Sequence, residues 1–149
     1  MKIIVGNDHR GFAVKQKLTA YIKSLGHEVI DAGSFSEEYS DYPDFAFIVA
    51  ERVGAGECER GLLLCGTGTG MCIAANKVHG VRAALCCDEY TARLARQHND
   101  ANVCSLGARI LGDELALAIV DLFLATPFEG GRHVARLAQV AAIEREECV

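Results

Sequence analysis

Five short apolar runs, none of them interrupted by a charged residue, limit the folds that this chain can adopt. They span residues 3–5, 29–30, 62–65, 83–86 and 103–106, and longer segments with helical spacing separate them. Strands with one solvated face alternate apolar and polar residues, whereas strands covered on both faces read as continuous apolar runs. We therefore predict an α/β fold, a Rossmann-like three-layer sandwich with a five-stranded parallel sheet, formed by one domain over residues 1–149.

The segments between these runs carry helix signals. Val14, Leu18 and Ile22 repeat at helical spacing before Gly26, a residue type that commonly ends helices. Pro43 stands where a first helical turn is expected, and an apolar stripe follows it. Further helices are predicted over residues 70–77, 89–98 and 113–124.

The last segment, residues 133–148, is apolar over a wider arc than one narrow stripe. Its apolar positions are Val134, Leu137, Ala138, Val140, Ala141 and Ile143. Because the predicted sheet is complete without this helix, we expect its apolar face to pack on a second subunit, in a homodimer. Packing within the chain is the alternative, and the sequence leaves open whether dimers pair into tetramers.

Charge and cysteine content exclude several classes of protein. The net charge of -5 argues against a general nucleic-acid binder, which needs a surplus of Lys and Arg. No apolar stretch reaches the roughly 18 to 20 residues of a membrane span and no signal sequence precedes the first run, so we expect a cytoplasmic protein. The seven cysteines include no C-x-x-C pair, which favours reduced thiols over disulfides or a zinc knuckle. Cys72, Cys86, Cys87 and Cys148 are interpreted as structural.

Two loops lie where ligands of an open parallel sheet bind, beyond the carboxyl ends of the strands. Residues 6–11 follow the first strand, and residues 65–70 follow the third. In the second loop three glycines alternate with two threonines before a helix, so that successive N–H groups can form an anion-binding nest. The loop lacks the Gly-Lys-Ser/Thr of nucleotide triphosphatases, and Met71 stands where a dinucleotide fingerprint has a small residue.

Cys65 is the last residue of the third predicted strand and immediately precedes this nest. Oriented amides and a helix N-terminus favour thiolate over thiol, so Cys65 is a candidate base. A buried strand-end cysteine is the alternative. The catalytic interpretation is favoured by the polar residues expected near loops or strand ends, namely Asp8, His9, Arg10, His98, Asn99 and Arg109.

Arg132 and Arg136 lie four residues apart, directly after Gly130 and Gly131. If the last helix begins here, this spacing places both guanidinium groups on one face. Two arginines on one face suit a phosphate dianion, through paired charge-assisted hydrogen bonds. A solvated helix face is the alternative.

Five separated segments resemble, in order and spacing, the ribose-5-phosphate isomerases of type B, within the ribose/galactose isomerase family. They are DHRG at 8–11, CGTGTG at 65–70, AANK at 74–77, RQHNDANV at 96–103 and EGGRH at 129–133. The resemblance extends over essentially the whole chain. It implies an aldose–ketose isomerase that needs neither metal nor cofactor, works through an enediolate, and forms a dimer whose active sites take residues from both subunits.

The resemblance also implies a role for each matching residue. Cys65 would move the proton between C2 and C1 of open-chain ribose 5-phosphate, and Thr67 would move a proton between O1 and O2. His98 would open the furanose ring, and Asp8 would position sugar hydroxyls or assist. The enediolate charge would be held by the loop amides of Gly66, Gly68, Thr69 and Gly70. Phosphate binding falls to His9, Arg132 and Arg136, and the pocket is completed by Asn99 and Arg109.

Three other functions remain open at this level. A galactose-6-phosphate isomerase subunit shares the glycine loop, but this chain carries both Cys65 and the complete Gln97–Asp100 segment, which favours the pentose enzyme and a homodimer. Allose 6-phosphate is a further candidate, because the sequence does not give the length of the pocket. A phosphosugar-binding protein without turnover would also keep the fold.

Overall fold

The computed structural model describes residues 1–147 and has a five-stranded, all-parallel sheet at its centre. The strands are β1 (Lys2–Asn7), β2 (Glu28–Asp31), β3 (Arg60–Cys65), β4 (Ala83–Leu85) and β5 (Val103–Gly107). Their order across the sheet is β2-β1-β3-β5-β4. The three central strands β1, β3 and β5 are almost wholly buried, as continuous apolar runs predict.

Helices cover both faces of this sheet, which confirms the three-layer prediction. Their bounds are α1 (Phe12–Ser24), α2 (Tyr42–Gly54), α3 (Thr69–Ala75), α4 (Glu89–Gln97), α5 (Asp113–Ala125) and α6 (Arg132–Glu147). Pro43 lies in the first turn of α2, and Gly26, with φ +86°, follows the end of α1. Both helix signals read from the sequence are therefore confirmed.

The alternation of side chains along β3 divides the core into two halves. Leu62 and Leu64 point to the face covered by α1, α4 and α5. Leu63 and Cys65 point to the opposite face, which α2 and α3 cover. The candidate thiol therefore lies on the side of the glycine loop that starts α3.

The strand order creates a switch point between β1 and β3. The chain leaves β1 through α1 on one face and leaves β3 through α3 on the other. At such a point the two connections diverge and open a crevice beyond the carboxyl ends of the strands. The two loops selected from the sequence, 6–11 and 65–70, flank this crevice.

The last helix, α6, differs from the others. It has few contacts with the sheet or with the remaining helices, and most of its residues are exposed. Val134, Val140 and Ile143 are each more than half exposed. Packing of this face on a partner subunit stays a prediction. Cys148, interpreted above as structural, lies outside the described residues.

No helix in the described part of the chain is long and apolar enough to cross a membrane. Six cysteines within it are free thiols: Cys58, Cys65, Cys72, Cys86, Cys87 and Cys104. Burial raises the pKa of Cys58 and of Cys72. The pKa of Cys104 is raised mainly by its hydrogen bond with Cys86 and, to a smaller extent, by burial. These three thiols are therefore poorly suited to act as bases at neutral pH.

The approach of α2 to β3 depends on a small residue in the strand. A Cβ at Gly61 would lie 2.7 Å from Val49 Cγ1 and 3.2 Å from Val53 Cγ2. We expect Gly61→Ala to lower the free energy of unfolding by about 1 to 3 kcal/mol, because α2 must move away from the sheet. Urea denaturation measures this change.

Gly112→Ala is the matched control. A Cβ at Gly112 would meet nothing within 4 Å, and its φ of -72° suits alanine. A Gly61→Ala chain as stable as this control would contradict the close packing of α2 on β3.

Candidate active site

The loop after β3 is shaped by one left-handed residue. Gly68 has φ +79°, and a Cβ there would lie 2.8 Å from the carbonyl carbon of Leu106. Only glycine combines this conformation with so close an approach to β5. The buried Ser105 hydroxyl donates a 2.6 Å hydrogen bond to the Gly68 carbonyl oxygen and fixes the loop against the sheet. Ser105 is a positioning residue that was not predicted, although a serine inside an apolar strand is a visible signal in the sequence.

Cys65 faces the amides of this loop. The Gly68 N–H donates to Cys65 Sγ at 3.2 Å, and the Cys65 residue is 5% exposed. Such a bond is stronger to a thiolate than to a neutral thiol. The sulfur therefore lies at the inner wall of the crevice, turned toward the nest as the sequence analysis expected.

The remaining donors of the nest are close to the sulfur along the chain. Thr67 Oγ1 accepts a 3.3 Å hydrogen bond from the Thr69 N–H, which holds the Thr67 hydroxyl beside the loop. Within residues 1–147, the N–H groups of Gly66, Thr67 and Gly70 donate to no protein acceptor. These groups are available to an anionic oxygen beside Cys65.

The loop after β1 supplies Asp8 and His9 at the same edge. Asp8 is 5% exposed, and its Oδ1 accepts from the Arg10 N–H at 2.9 Å and the Gly11 N–H at 3.2 Å. One carboxylate oxygen of Asp8 therefore shapes the turn into α1. His9 is half-buried. Its ring Nδ1 lies 3.2 Å from the Ser40 carbonyl oxygen, and its backbone N–H donates to Ser40 Oγ. The segment before α2 thus fixes the orientation of the His9 ring.

Three more side chains border this crevice. Arg109 follows β5; its backbone N–H donates to the Gly66 carbonyl oxygen at 3.0 Å, and its Cδ would lie 3.8 Å from a Cβ at Gly66. The Arg10 guanidinium lies against Gly66, where a Cβ would be 3.3 Å from Arg10 Nη1. The Tyr42 ring covers Gly70, where a Cβ would be 2.7 Å from Tyr42 Cζ. Tyr42 was missed, although it stands beside Pro43, at a helix start on the ligand-binding edge.

The other predicted site residues lie at the opposite edge of the sheet. His98 is the C-terminal cap of α4, and Asn99 follows it before β5 begins at Val103. The Arg82 guanidinium, just before β4, donates to the carbonyl oxygens of Asn99 and Asp100 and fixes this turn. Because Cys65 pairs with Gly107 at the far end of β5, the two edges are about 13 Å apart along the strand.

His98 belongs to a cluster with Glu129 and His133, defined here as the amino-edge cluster. The His98 and His133 rings stack with centroids 4.2 Å apart and an interplanar angle of 15°. Glu129 Oε2 lies 3.7 Å from His98 Nε2 and 3.9 Å from His133 Nε2. These three residues carry ligand atoms within 4.8 Å of one another and are the group in the described chain that could hold a metal ion.

Arg132 and Arg136 are close to this cluster, at the start of α6. Burial lowers the pKa of His133, and the nearby charges of His98, Arg132 and Arg136 lower it further, against the opposite effect of Glu129. Both arginines are exposed. They lie with His98 and Asn99 and not with His9, so one chain does not assemble the predicted phosphate site.

The predicted site is therefore divided into two sets. The carboxyl edge holds a thiol, a hydroxyl, free amides and a carboxylate, which suit proton abstraction next to a carbonyl. The amino edge holds imidazoles and arginines, which suit acid–base transfer and anion binding. The carboxyl-edge set consists of Asp8, His9, Cys65, Gly66, Thr67, Gly68, Thr69, Gly70 and Arg109, and the amino-edge set of His98, Asn99, Arg132 and Arg136.

Comparison with known proteins gives the same assignment along the whole chain. A family model described as Ribose/Galactose Isomerase matches residues 3–140. Ribose-5-phosphate isomerase B from Escherichia coli is 49% identical over 144 residues, which cover 97% of each chain.

Solved structures of relatives share this fold. Ribose-5-phosphate isomerase B from Clostridium thermocellum is 50% identical and superposes with a TM-score of 0.97 over 99% of both chains. The enzyme from Mycoplasma genitalium with bound ribulose-5-phosphate is 44% identical, with a TM-score of 0.94 over 97% of both chains. The chain belongs to the ribose/galactose isomerase family.

Proposed function

We propose that this chain interconverts ribose 5-phosphate and ribulose 5-phosphate, as an aldose–ketose isomerase whose carbon base is Cys65. The observation that carries the proposal is the position of Cys65 Sγ, 3.2 Å from a loop amide and beside further amides that have no partner within residues 1–147. The names of the relatives support the substrate, and so does the ribulose-5-phosphate bound by the enzyme from Mycoplasma genitalium.

The reaction begins on the open-chain sugar at Cys65. The thiolate takes the C2 proton of the aldose, the electron pair moves to form an enediolate, and the same sulfur returns the proton to C1. Thr67 carries the accompanying proton between O1 and O2. Asp8 positions the sugar hydroxyls through the part of its carboxylate that does not hold the α1 turn.

The glycine loop stabilises the charge that this step creates. Negative charge develops on the enediolate oxygen in the transition state, and one preorganised donor there contributes about 3 to 4 kcal/mol. The free N–H groups of Gly66, Thr67 and Gly70 are preorganised because Gly68 is pressed against β5. No rearrangement of the loop is needed when the charge forms.

Within one chain, the groups that ring opening and phosphate binding require lie at the amino edge of the sheet, opposite Cys65. His98 is suited to the ring-opening proton transfer because an imidazole can both accept and donate a proton. His98 and Asn99 lie at the amino edge with Arg132 and Arg136, about 13 Å along the strands from the thiol. A homodimer resolves this separation if the amino edge of one chain completes the carboxyl edge of its partner, bringing His9 and both arginines to one phosphate.

The exposed face of α6 supports the dimer. A cavity of about 720 Å³ lies between α6 and the amino edge, and its lining includes Asn99, Leu137, Val140 and Ile143. A 2.9 Å hydrogen bond from the Gly80 N–H to Glu144 Oε1 ties this part of α6 to the rest of the chain. We propose that a second copy of this chain occupies this cavity, because the same docking would cover the apolar surface of α6 and complete the active site.

A cysteine base requires a reduced thiol. Six free thiols in the described chain fit a reducing compartment, and we propose the cytoplasm.

Replacement of the base should separate chemistry from binding. We expect Cys65→Ala to lower kcat on ribose 5-phosphate by about a thousandfold, because no other group takes the C2 proton. Exchange of the C2 hydrogen with solvent should stop, while affinity for the sugar phosphate stays within about twofold of the unmodified chain. Isomerisation is measured as ribulose 5-phosphate formed, and exchange by NMR in deuterated water.

Cys87→Ala is the control, because Cys87 is an exposed thiol outside the site and its loss should change none of these quantities. The unmodified chain is also assayed with ribose, allose and galactose phosphates, and its turnover rates on the three substrates are compared. Faster turnover of a hexose phosphate would contradict the pentose assignment. Full activity of Cys65→Ala would remove the proposed base.

Complementation between inactive chains tests the shared site. Cys65→Ala and His98→Ala disable opposite edges, so a mixed dimer would contain one intact site. Random pairing after joint unfolding and refolding should restore about one quarter of the unmodified activity, since half the dimers are mixed and each has one working site of two. Activity is compared with that of each variant refolded alone.

The control mixes Cys65→Ala with Thr67→Ala, two defects at the same edge, which should restore nothing. Size-exclusion chromatography with light scattering confirms that mixed dimers form. If dimers form and the first mixture remains inactive, sites shared between subunits are excluded.

A further inference from the structure

The amino-edge cluster has the composition of a transition-metal site. Two imidazoles and one carboxylate offer His98 Nε2, His133 Nε2 and a Glu129 oxygen within 4.8 Å of one another. These are ligand types that Zn²⁺ takes in open sites with three protein ligands. Nothing in the isomerase chemistry described above uses Glu129 or His133.

His133 gives a second, independent indication of a ligand. The residue is 4% exposed, and its Nε2 has no hydrogen-bond partner in the described chain. Buried polar atoms are normally satisfied, so an orphaned ring nitrogen that faces a carboxylate and a second imidazole needs explanation.

We propose that His98, Glu129 and His133 form a binding site for Zn²⁺ or a similar divalent transition metal, and that the bound ion inhibits the enzyme. The ion is an inhibitor and not a cofactor. Its inhibitory effect rests on the ring-opening role proposed for His98, whereas the binding site itself rests on the cluster alone.

A bound ion requires the three ligand atoms to move closer together and the two rings to reorient. Two ligand atoms, each about 2.0 to 2.1 Å from a tetrahedral ion, are about 3.3 Å apart. The observed separations from the Glu129 oxygen are 3.7 and 3.9 Å. The stacked rings of His98 and His133 must also tilt relative to each other, so that both Nε2 lone pairs point at the ion. The side chains of His98, a third exposed, and Glu129, more than half exposed, can make this adjustment around the buried His133.

Nearby charge limits which ions bind. Arg132 and Arg136 repel any cation at this position and already lower the pKa of His133. Ions that depend on several oxygen ligands and charge, such as Mg²⁺ and Ca²⁺, gain little from two imidazoles. We therefore expect binding of Zn²⁺ and Co²⁺ and none of Mg²⁺.

The ion would block the reaction through His98. Coordination occupies the Nε2 lone pair that ring opening needs for proton transfer, and a bound ion beside Arg132 and Arg136 alters the phosphate site. The closed-ring substrate would then fail to open, although Cys65 itself is untouched.

Binding is tested on the Cys65→Ala chain, so that neither the catalytic thiol nor turnover contributes. We expect calorimetry to show one Zn²⁺ per chain and Co²⁺ to give visible absorption without a thiolate charge-transfer band. Mg²⁺ should give no heat. Absence of a stoichiometric site, or a thiolate band, would overturn the proposal.

Variants in the same background locate the site. Glu129→Gln and His133→Gln should each weaken Zn²⁺ binding by about tenfold or more, since each removes a ligand. His79→Gln is the matched control, because His79 is an exposed histidine outside the cluster, and it should bind as the parent does. Equal affinity in all three variants would place the ion elsewhere and contradict the proposal.

Activity of the chain with its native Cys65 tests inhibition. Zn²⁺ should inhibit ribose 5-phosphate isomerisation, and a chelator should reverse the inhibition. With each chain's activity normalised to its value without Zn²⁺, the Zn²⁺ concentration that halves activity should be about tenfold higher for Glu129→Gln than for the unmodified chain. Binding without inhibition would overturn the inhibitory role. If the chain proves not to be an isomerase, the calorimetry still decides whether the metal site exists.

Discussion

The chemistry of this chain depends on the contact between the glycine loop and β5. Gly68 takes a left-handed conformation against the Leu106 backbone, and Ser105 binds the Gly68 carbonyl oxygen from below. That contact turns the Gly68 N–H toward Cys65 Sγ and leaves neighbouring amides without partners among residues 1–147. A side chain at Gly68 would lift the loop from the strand, and the thiol would lose both its donor and the pocket for charge. The site is therefore built mainly from backbone that the sheet holds in place.

The parallel sheet also imposes the division of the site into two edges. Every strand runs in the same direction, so residues that precede β5 and residues that follow β3 lie at opposite ends. Helix α4 returns the chain to the amino edge, and His98 at its C-terminal cap therefore lies far from Cys65. No local change of a loop overcomes this distance. The second copy of the chain that we propose would remove it, and the exposed apolar face of α6 is the surface on which we propose that this copy docks.

Much of the fold was readable from the sequence because its signals are local. Continuous apolar runs gave all five strands, and Pro43 and Gly26 marked helix ends within a few residues. The strand-edge rule placed Cys65, Thr67, Asp8 and His9 correctly. The strand order, by contrast, depends on which buried surfaces fit together, and no local pattern records it. The contact of Tyr42 with Gly70 and the stack of His98 on His133 join distant segments, so residue type and spacing could not reveal these contacts.

The amino-edge cluster illustrates how the catalytic role that we propose for His98 could create a second property. An acid–base imidazole has to be partly exposed and able to lose its proton, and these are also the conditions for binding a metal ion. Glu129 Oε2 lies 3.7 Å from His98 Nε2, and the buried His133 ring stacks on the His98 ring. The three side chains bring their ligand atoms within 4.8 Å of one another. The positive charges of Arg132 and Arg136 oppose a cation there, so the residues that we propose bind phosphate would also weaken the binding of the proposed inhibitory ion.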